Sequence, residues 1–216
     1  MATQPRIDHI IIAAKDVKAA ADSFCKEFGL AAYVGGKHDG WGTENYIIPL
    51  GEGYIEIAAV FDQKAADTCD WGRKITEAAD GLSSSKPWTL VTFAVETPEG
   101  AAATAERLKA DTAPMRRFRP DGTNITWRVA AMSRFMEPDR DPKPFFITWD
   151  DVKTRPDKLP ADHKVKPERI EYVEVAGDKA AMQEWVGSQY YDGLPISAGM
   201  VCNQGSFLQF WRNLDD

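Results

Sequence analysis

Two periodicities alternate along this chain. Residues 6–14 (RIDHIIIAA) form a β-branched run of the kind that fills a central strand. Asp16 then stands where an N-cap would. Val17, Ala20, Ala21, Phe24, Cys25 and Phe28 recur at helical spacing, and Gly29 follows as a C-cap. Residues 30–34 predict a short second strand, which Gly35-Gly36 breaks. Strands at 45–50 and 54–60 follow, joined by the tight turn Gly51-Glu52-Gly53. This first segment reads β-α-β-β-β.

The order then recurs. A polar connection, 63–86, contains a short helix near 71–79 and a flexible joint at Ser83-Ser84-Ser85. Residues 88–96 are a strand with apolar residues throughout, and Pro98 opens a helix running to about residue 110. Strands follow near 115–119, 123–131 and 144–149, with Pro120-Asp121-Gly122 as a turn. After a Pro/Lys/Asp-rich linker, 169–176 (RIEYVEVA) echoes the first strand. Asp178 caps a helix to about residue 189, and strands at 198–202 and 206–211 end the chain. The organisation expected is 1–62, a first βαβββ unit; 63–86, a connection; 87–150, a second unit; 151–167, a linker; and 168–216, a shortened βαββ unit adding to one sheet. The fold class is α+β.

Composition narrows the function. With 216 residues, 44% hydrophobic and 11% aromatic, the chain buries a sizeable core. A net charge of -7 and a pI near 5.1 argue against a nucleic-acid partner, which needs clustered basic surface. The one basic cluster, Arg116-Arg117-Phe118-Arg119, is short enough either to hold a small anion or to pair with the acidic excess. Cys25, Cys69 and Cys202 lack metal-type spacing and read as reduced structural thiols. No apolar run approaches ~20 residues, so no membrane partner is expected, and the expected compartment is the cytoplasm. There is no GxSxG, P-loop, dinucleotide fingerprint or CxxC, so no nucleotide cofactor is expected.

The chemistry concentrates between residues 38 and 56. His38-Asp39-Gly40-Trp41-Gly42-Thr43-Glu44-Asn45 reads as a glycine-punctuated loop carrying an imidazole, an indole, a hydroxyl and an amide. Glu56 interrupts an apolar strand, where a carboxylate needs pairing, protonation or a metal. His9 likewise lies mid-strand. It reads as a buried, hydrogen-bonded imidazole or as a ligand or general base. Arg119 and Arg128 lie on or near strands of the second unit; facing inward, either would need an anion such as Asp121, Glu56 or a substrate carboxylate. Trp41, Trp127, Phe146 and Trp149 are candidate pocket walls. Thr43 and Asn45 are turn formers or ligand-orienting groups. His163 lies in the linker and reads as exposed.

The repeated unit, with His9 on its first strand and Glu56 on its fourth, resembles the vicinal-oxygen-chelate superfamily, and within it the glyoxalase-like domain group. The residues carrying the resemblance are Ile7-Asp8-His9-Ile10, Gly36-Lys37-His38, Trp41-Gly42-Thr43-Glu44-Asn45, Tyr54-Ile55-Glu56-Ile57, Arg119-Pro120-Asp121-Gly122, Trp127-Arg128 and 144–149 (PFFITW). The resemblance implies a curled mixed sheet, or half-barrel, with helices outside. It also implies a divalent metal held by one ligand from the first and one from the fourth strand of each unit. His9 and Glu56 match the first pair. Overlaying the second unit puts Val91 opposite His9 and Phe146 opposite Glu56, and the third gives Tyr172 and Gln209, so the usual four-ligand set is incomplete.

Antiparallel pairing of the first and fourth strands, as the resemblance implies, would set His9 beside Glu56, within hydrogen-bonding reach or joined by one atom. That pair reads as two metal ligands, as a base and its orienter, or as a structural hydrogen bond. With His38 it would make a facial triad for a divalent ion, with Fe, Mn, Zn and Ni all open. Alternation puts Ile7 and Ile11 on the face of His9, and Tyr54 and Ala58 on that of Glu56. The resemblance implies an enzyme acting on a small oxygenated or carboxylated metabolite, with isomerase, lyase and dioxygenase chemistry all open. His9, Glu56 and His38 would be its catalytic groups, and the aromatic, arginine, Tyr172 and Gln209 side chains would contact substrate. The alternative is a non-catalytic small-molecule binding protein. Monomer and homodimer are both open.

Overall fold

The computed structural model describes residues 4–84, 87–133, 143–192, 194 and 196–199. The first unit is β1 (Arg6–Ala14), α1 (Val17–Phe28), β2 (Tyr33–His38), β3 (Thr43–Pro49) and β4 (Tyr54–Val60). Asp16 caps α1 by accepting from the Ala19 amide, and Gly29 ends it in the left-handed conformation at φ 70. The second unit is β5 (Trp88–Glu96), α4 (Gly100–Leu108), β6 (Thr112–Phe118), β7 (Asn124–Ala130) and β8 (Phe145–Trp149). All eight strands form one sheet in the order β2-β3-β4-β1-β5-β8-β7-β6. Its two edge strands approach one another: an Arg117 guanidinium N–H from β6 donates to the carbonyl of Gly35 on β2. The sheet therefore curls almost into a barrel, with α1 and α4 outside.

Several expectations change. β1 and β4 run parallel, not antiparallel. The reason is parity: the α1 crossover returns β2 to the direction of β1, and two hairpin reversals then return β4 to it. Gly35-Gly36 does not break the second strand. β2 continues through both residues with a register shift between Val34 and Gly36. The third segment, β9 (Val173–Ala176), α5 (Lys179–Val186), α6 (Ser188–Tyr191) and β10 (Ile196–Gly199), does not add to the main sheet. β9 and β10 pair with each other, in parallel. The two edge strands, β2 and β6, approach one another, and β9 and β10 pair apart from both. Instead Val173, Val175, Met182, Val186 and Ile196 join the core between sheet and helices. The strand expected at 206–211 lies outside the described residues.

Both regions read as connections do structural work. Residues 63–86 contain α2 (Gln63–Ala66) and α3 (Asp70–Asp80). Trp71 and Ile75 of α3, four apart on one helix face, pack against Ile11, Ala13, Tyr54 and Ala58 on the inner side of the sheet. Residues 152–158, in two short 3-10 turns, form a strap across the barrel. Tyr33 donates its hydroxyl to the Pro156 carbonyl at 2.7 Å, and Asp157 accepts from the Gly53 amide at 3.1 Å. His163 is half-buried, not exposed, and its Nδ1 accepts from the Ala31 amide.

Arg155 carries the strap into a buried charge cluster. It lies 2.7 Å from Asp157 and 3.7 Å from both Asp8 and Glu96. Arg6 binds Asp8 at 2.8 Å and Glu96 at 2.7 Å. Burial alone would push the Asp8 carboxyl up. The His9 hydrogen bond and the charges of His9, Arg6 and Arg155 outweigh it and hold the carboxyl at about 2.

Removing one partner from such a cluster leaves buried charge uncompensated. Arg155→Met should lower unfolding free energy in urea by about 3–5 kcal/mol, and a loss below about 1 kcal/mol, the range of an exposed pair, would show that the strap is not held this way. The Asp8 carboxyl is lowered from 3.8 to about 2, so its stabilisation is present above 3.8 and lost as pH falls toward 2. The stability difference between the protein and Asp8→Asn should therefore shrink by roughly 2 kcal/mol over that window. A pH-independent difference would contradict the assignment.

Candidate functional site

A bulge in β1 builds the site. Ile7 pairs with Val95 and His9 with the adjacent Ala94, so Asp8 is an extra residue between them. The bulge undoes simple alternation. Ile7 joins Ile10 and Ile12 on the helix side, contrary to its expected place beside His9, while Ile11 stays on the inner face. Asp8 and His9, though consecutive, come within hydrogen-bonding distance at 2.7 Å between Oδ1 and Nδ1. Asp8 Oδ2 also accepts from the Trp149 indole at 3.0 Å and from Arg6 at 2.8 Å. An ionised carboxylate only accepts, so a neutral His9 carries its proton on Nδ1 and presents a bare Nε2.

His9 Nε2 faces Glu56 Oε2 across 3.9 Å, too long for a hydrogen bond. Parallel register sets His9 beside Tyr54, and the two rings stack at 4.4 Å with 11° between planes. Burial pushes the Tyr54 hydroxyl well above its ordinary pKa, so it stays protonated. Glu56 takes the Asn45 side-chain amide on Oε1 at 2.8 Å. Gly35 makes room for this, because a Cβ there would overlap the Asn45 side chain.

These groups line a cavity in which the centres of water-sized atoms have about 50 Å³ to occupy. That is room for about four waters or one compact head group. Trp41 and Trp71 form one wall, 6.0 Å apart, and Trp127 and Trp149 another, 5.4 Å apart. His38 reaches the cavity from the end of β2; it is half-buried, with Nδ1 3.1 Å from the Thr43 hydroxyl. Thr43 is fully buried behind it and does not line the cavity.

Of the residues expected to contact substrate, Trp41, Asn45, Trp127 and Trp149 line the cavity. Phe146 does not. It packs on the helix side near Trp185, while its neighbours Phe145 and Ile147 face inward. Arg128 alternates with the inward-facing Trp127 and Val129, and so is turned away. Arg119 follows the end of β6 and does not line the cavity; its guanidinium donates to the Thr154 carbonyl of the strap at 2.6 Å. Tyr172 is exposed and does not line the cavity. Gln209 lies outside the described residues.

The arginine that does line the cavity is Arg117. Period-two counting along 112–118 places it with Met115 and Ala113 on the inner face, so alternation alone identifies it. Asp8 was legible only as an acid beside a buried histidine. Trp71 was hidden in a stretch dominated by polar residues.

The donor set does not fit the expected metal. His9 and Glu56 offer two donors, and among the described residues no three of His, Cys, Asp and Glu come together as a metal site. His38 does not complete a triad with them. We therefore derive no step through a metal.

Comparison with known proteins places this geometry in a family. Residues 7–189 match the model of the glyoxalase-like domain. No curated protein matches the chain. Among solved structures, a hypothetical protein from Staphylococcus aureus superposes with a TM-score of 0.59 at 17% identity, over 84% of this chain and 75% of that one. Methylmalonyl-CoA epimerase from Mycobacterium tuberculosis gives 0.42 at 12% identity, over 69% and 91%. A Streptomyces coelicolor methylmalonyl-CoA epimerase variant, in complex with 2-nitronate-propionyl-CoA, gives 0.45 at 15% identity, over 68% and 96%. The first of these likenesses supports the fold, and the epimerases resemble the chain too loosely to carry more. With a family model covering most of its length and an eight-stranded curled sheet of two βαβββ units, the chain belongs to the glyoxalase-like domain family of the vicinal-oxygen-chelate superfamily.

Proposed function

We propose that this protein is an enzyme that moves a proton on a small carboxylated metabolite. The observation that supports the reading is the contact between Asp8 and His9 at 2.7 Å, with Nε2 left facing Glu56 over the cavity. Asp8 fixes the ring and its tautomer, so Nε2 is positioned as a general base. On taking a proton, the imidazolium is stabilised by Asp8 at one nitrogen and Glu56 at the other. Arg117 is the cationic group on the cavity wall and suits a substrate carboxylate. The tryptophans make the walls around the reacting centre largely apolar.

This favours isomerase- or lyase-type chemistry over ring-cleaving dioxygenation, which asks for a three-donor metal site. The incomplete donor set also favours a second reading, a binding protein that holds the same metabolite without turning it over.

Proton exchange separates the two. The protein is incubated in D2O with a panel of small carboxylates bearing an acidic C–H bond, and the C–H signal is followed by NMR. Exchange is expected, and His9→Asn should slow it by about 10²–10⁴-fold. Carboxylates that perturb the tryptophan indole resonances yet exchange no faster than in buffer would leave the binding protein as the correct reading.

A further inference from the structure

Glu56 is the residue whose surroundings remain unexplained by proton transfer alone. Glu56 is 8% exposed, and its carboxylate receives one amide hydrogen bond, from Asn45. Among the described residues no Lys or Arg forms an ion pair with it, and its nearest partner on Oε2 is His9 at 3.9 Å. A buried carboxylate in that state is poorly compensated. Four of the seven tryptophans in the chain line the same cavity, in two pairs. A packed core explains tryptophans, but not a carboxylate set among them. Tryptophan faces attract a cation through the ring quadrupole, most strongly in a desolvated site. The cavity lining also holds Arg117, which carries the opposite sign.

We propose that the ligand is a zwitterion, an alkylated or primary ammonium joined by a short chain to a carboxylate. The ammonium sits against Glu56 between the tryptophan pairs, and the carboxylate is held by Arg117. This rests on the proposed function for its carboxylate end and adds the cationic end. The space, about 50 Å³ for the centres of water-sized atoms, suits a compact head group such as a trimethylammonium.

The test compares two probes of the same shape by calorimetric titration of the full-length protein. Glycine betaine carries the cation, and 3,3-dimethylbutanoate replaces its nitrogen by carbon. The account expects glycine betaine to bind about tenfold more tightly. Glu56→Gln should remove that preference. Trp127→Leu, an independent variant, should reduce it. Equal or tighter binding of 3,3-dimethylbutanoate would overturn the cationic end and leave the carboxylate reading standing. Binding of neither probe would overturn both.

Discussion

The Asp8 carboxylate is the group on which the rest depends. It sits fully buried at a bulge in the central strand and gathers Arg6, His9, Trp149 and Arg155 around its two oxygens. Those partners come from the first strand, the last strand of the second unit and the strap. One carboxylate thus ties both units and the strap together. A charge placed so deep is tolerable only because it is paired and hydrogen-bonded on every side. The same contacts aim His9 at the cavity. Fold and site share this interaction, so a change that frees Asp8 should loosen the barrel and misdirect the imidazole together.

Sheet curvature supplies the second constraint. The edges of the sheet meet where Arg117 reaches the Gly35 carbonyl, and the interior narrows to a small space lined by aromatic rings. α3 contributes Trp71 to the wall of this interior. The described part of the third segment packs on the outer core.

Much of this was legible in the sequence because local signals agree with the final fold. Asp16 and Gly29 bound their helix as capping physics requires, and the repeated strand-helix-strand order follows from hydrophobic period. The inner positions of Tyr54 and Glu56 follow from alternation. What was not legible is what alternation and composition do not encode. A bulge at Asp8 reverses the face of Ile7, strand direction depends on counting crossovers, and polar stretches such as 151–167 hide buried anchors like Arg155 and Asp157. Phe146 and Arg128 were placed in the pocket by residue type, yet strand phase turns both outward.

The claim that Asp8 sets His9 as a base is tested most directly by the tautomer of the ring. In a 15N-histidine-labelled sample near neutral pH, correlation of ring nitrogens with ring protons reports which nitrogen carries hydrogen. The account predicts that His9 is protonated on Nδ1 with Nε2 bare, and that Asp8→Ala abolishes this preference. A His9 protonated on Nε2 with Nδ1 bare would contradict it.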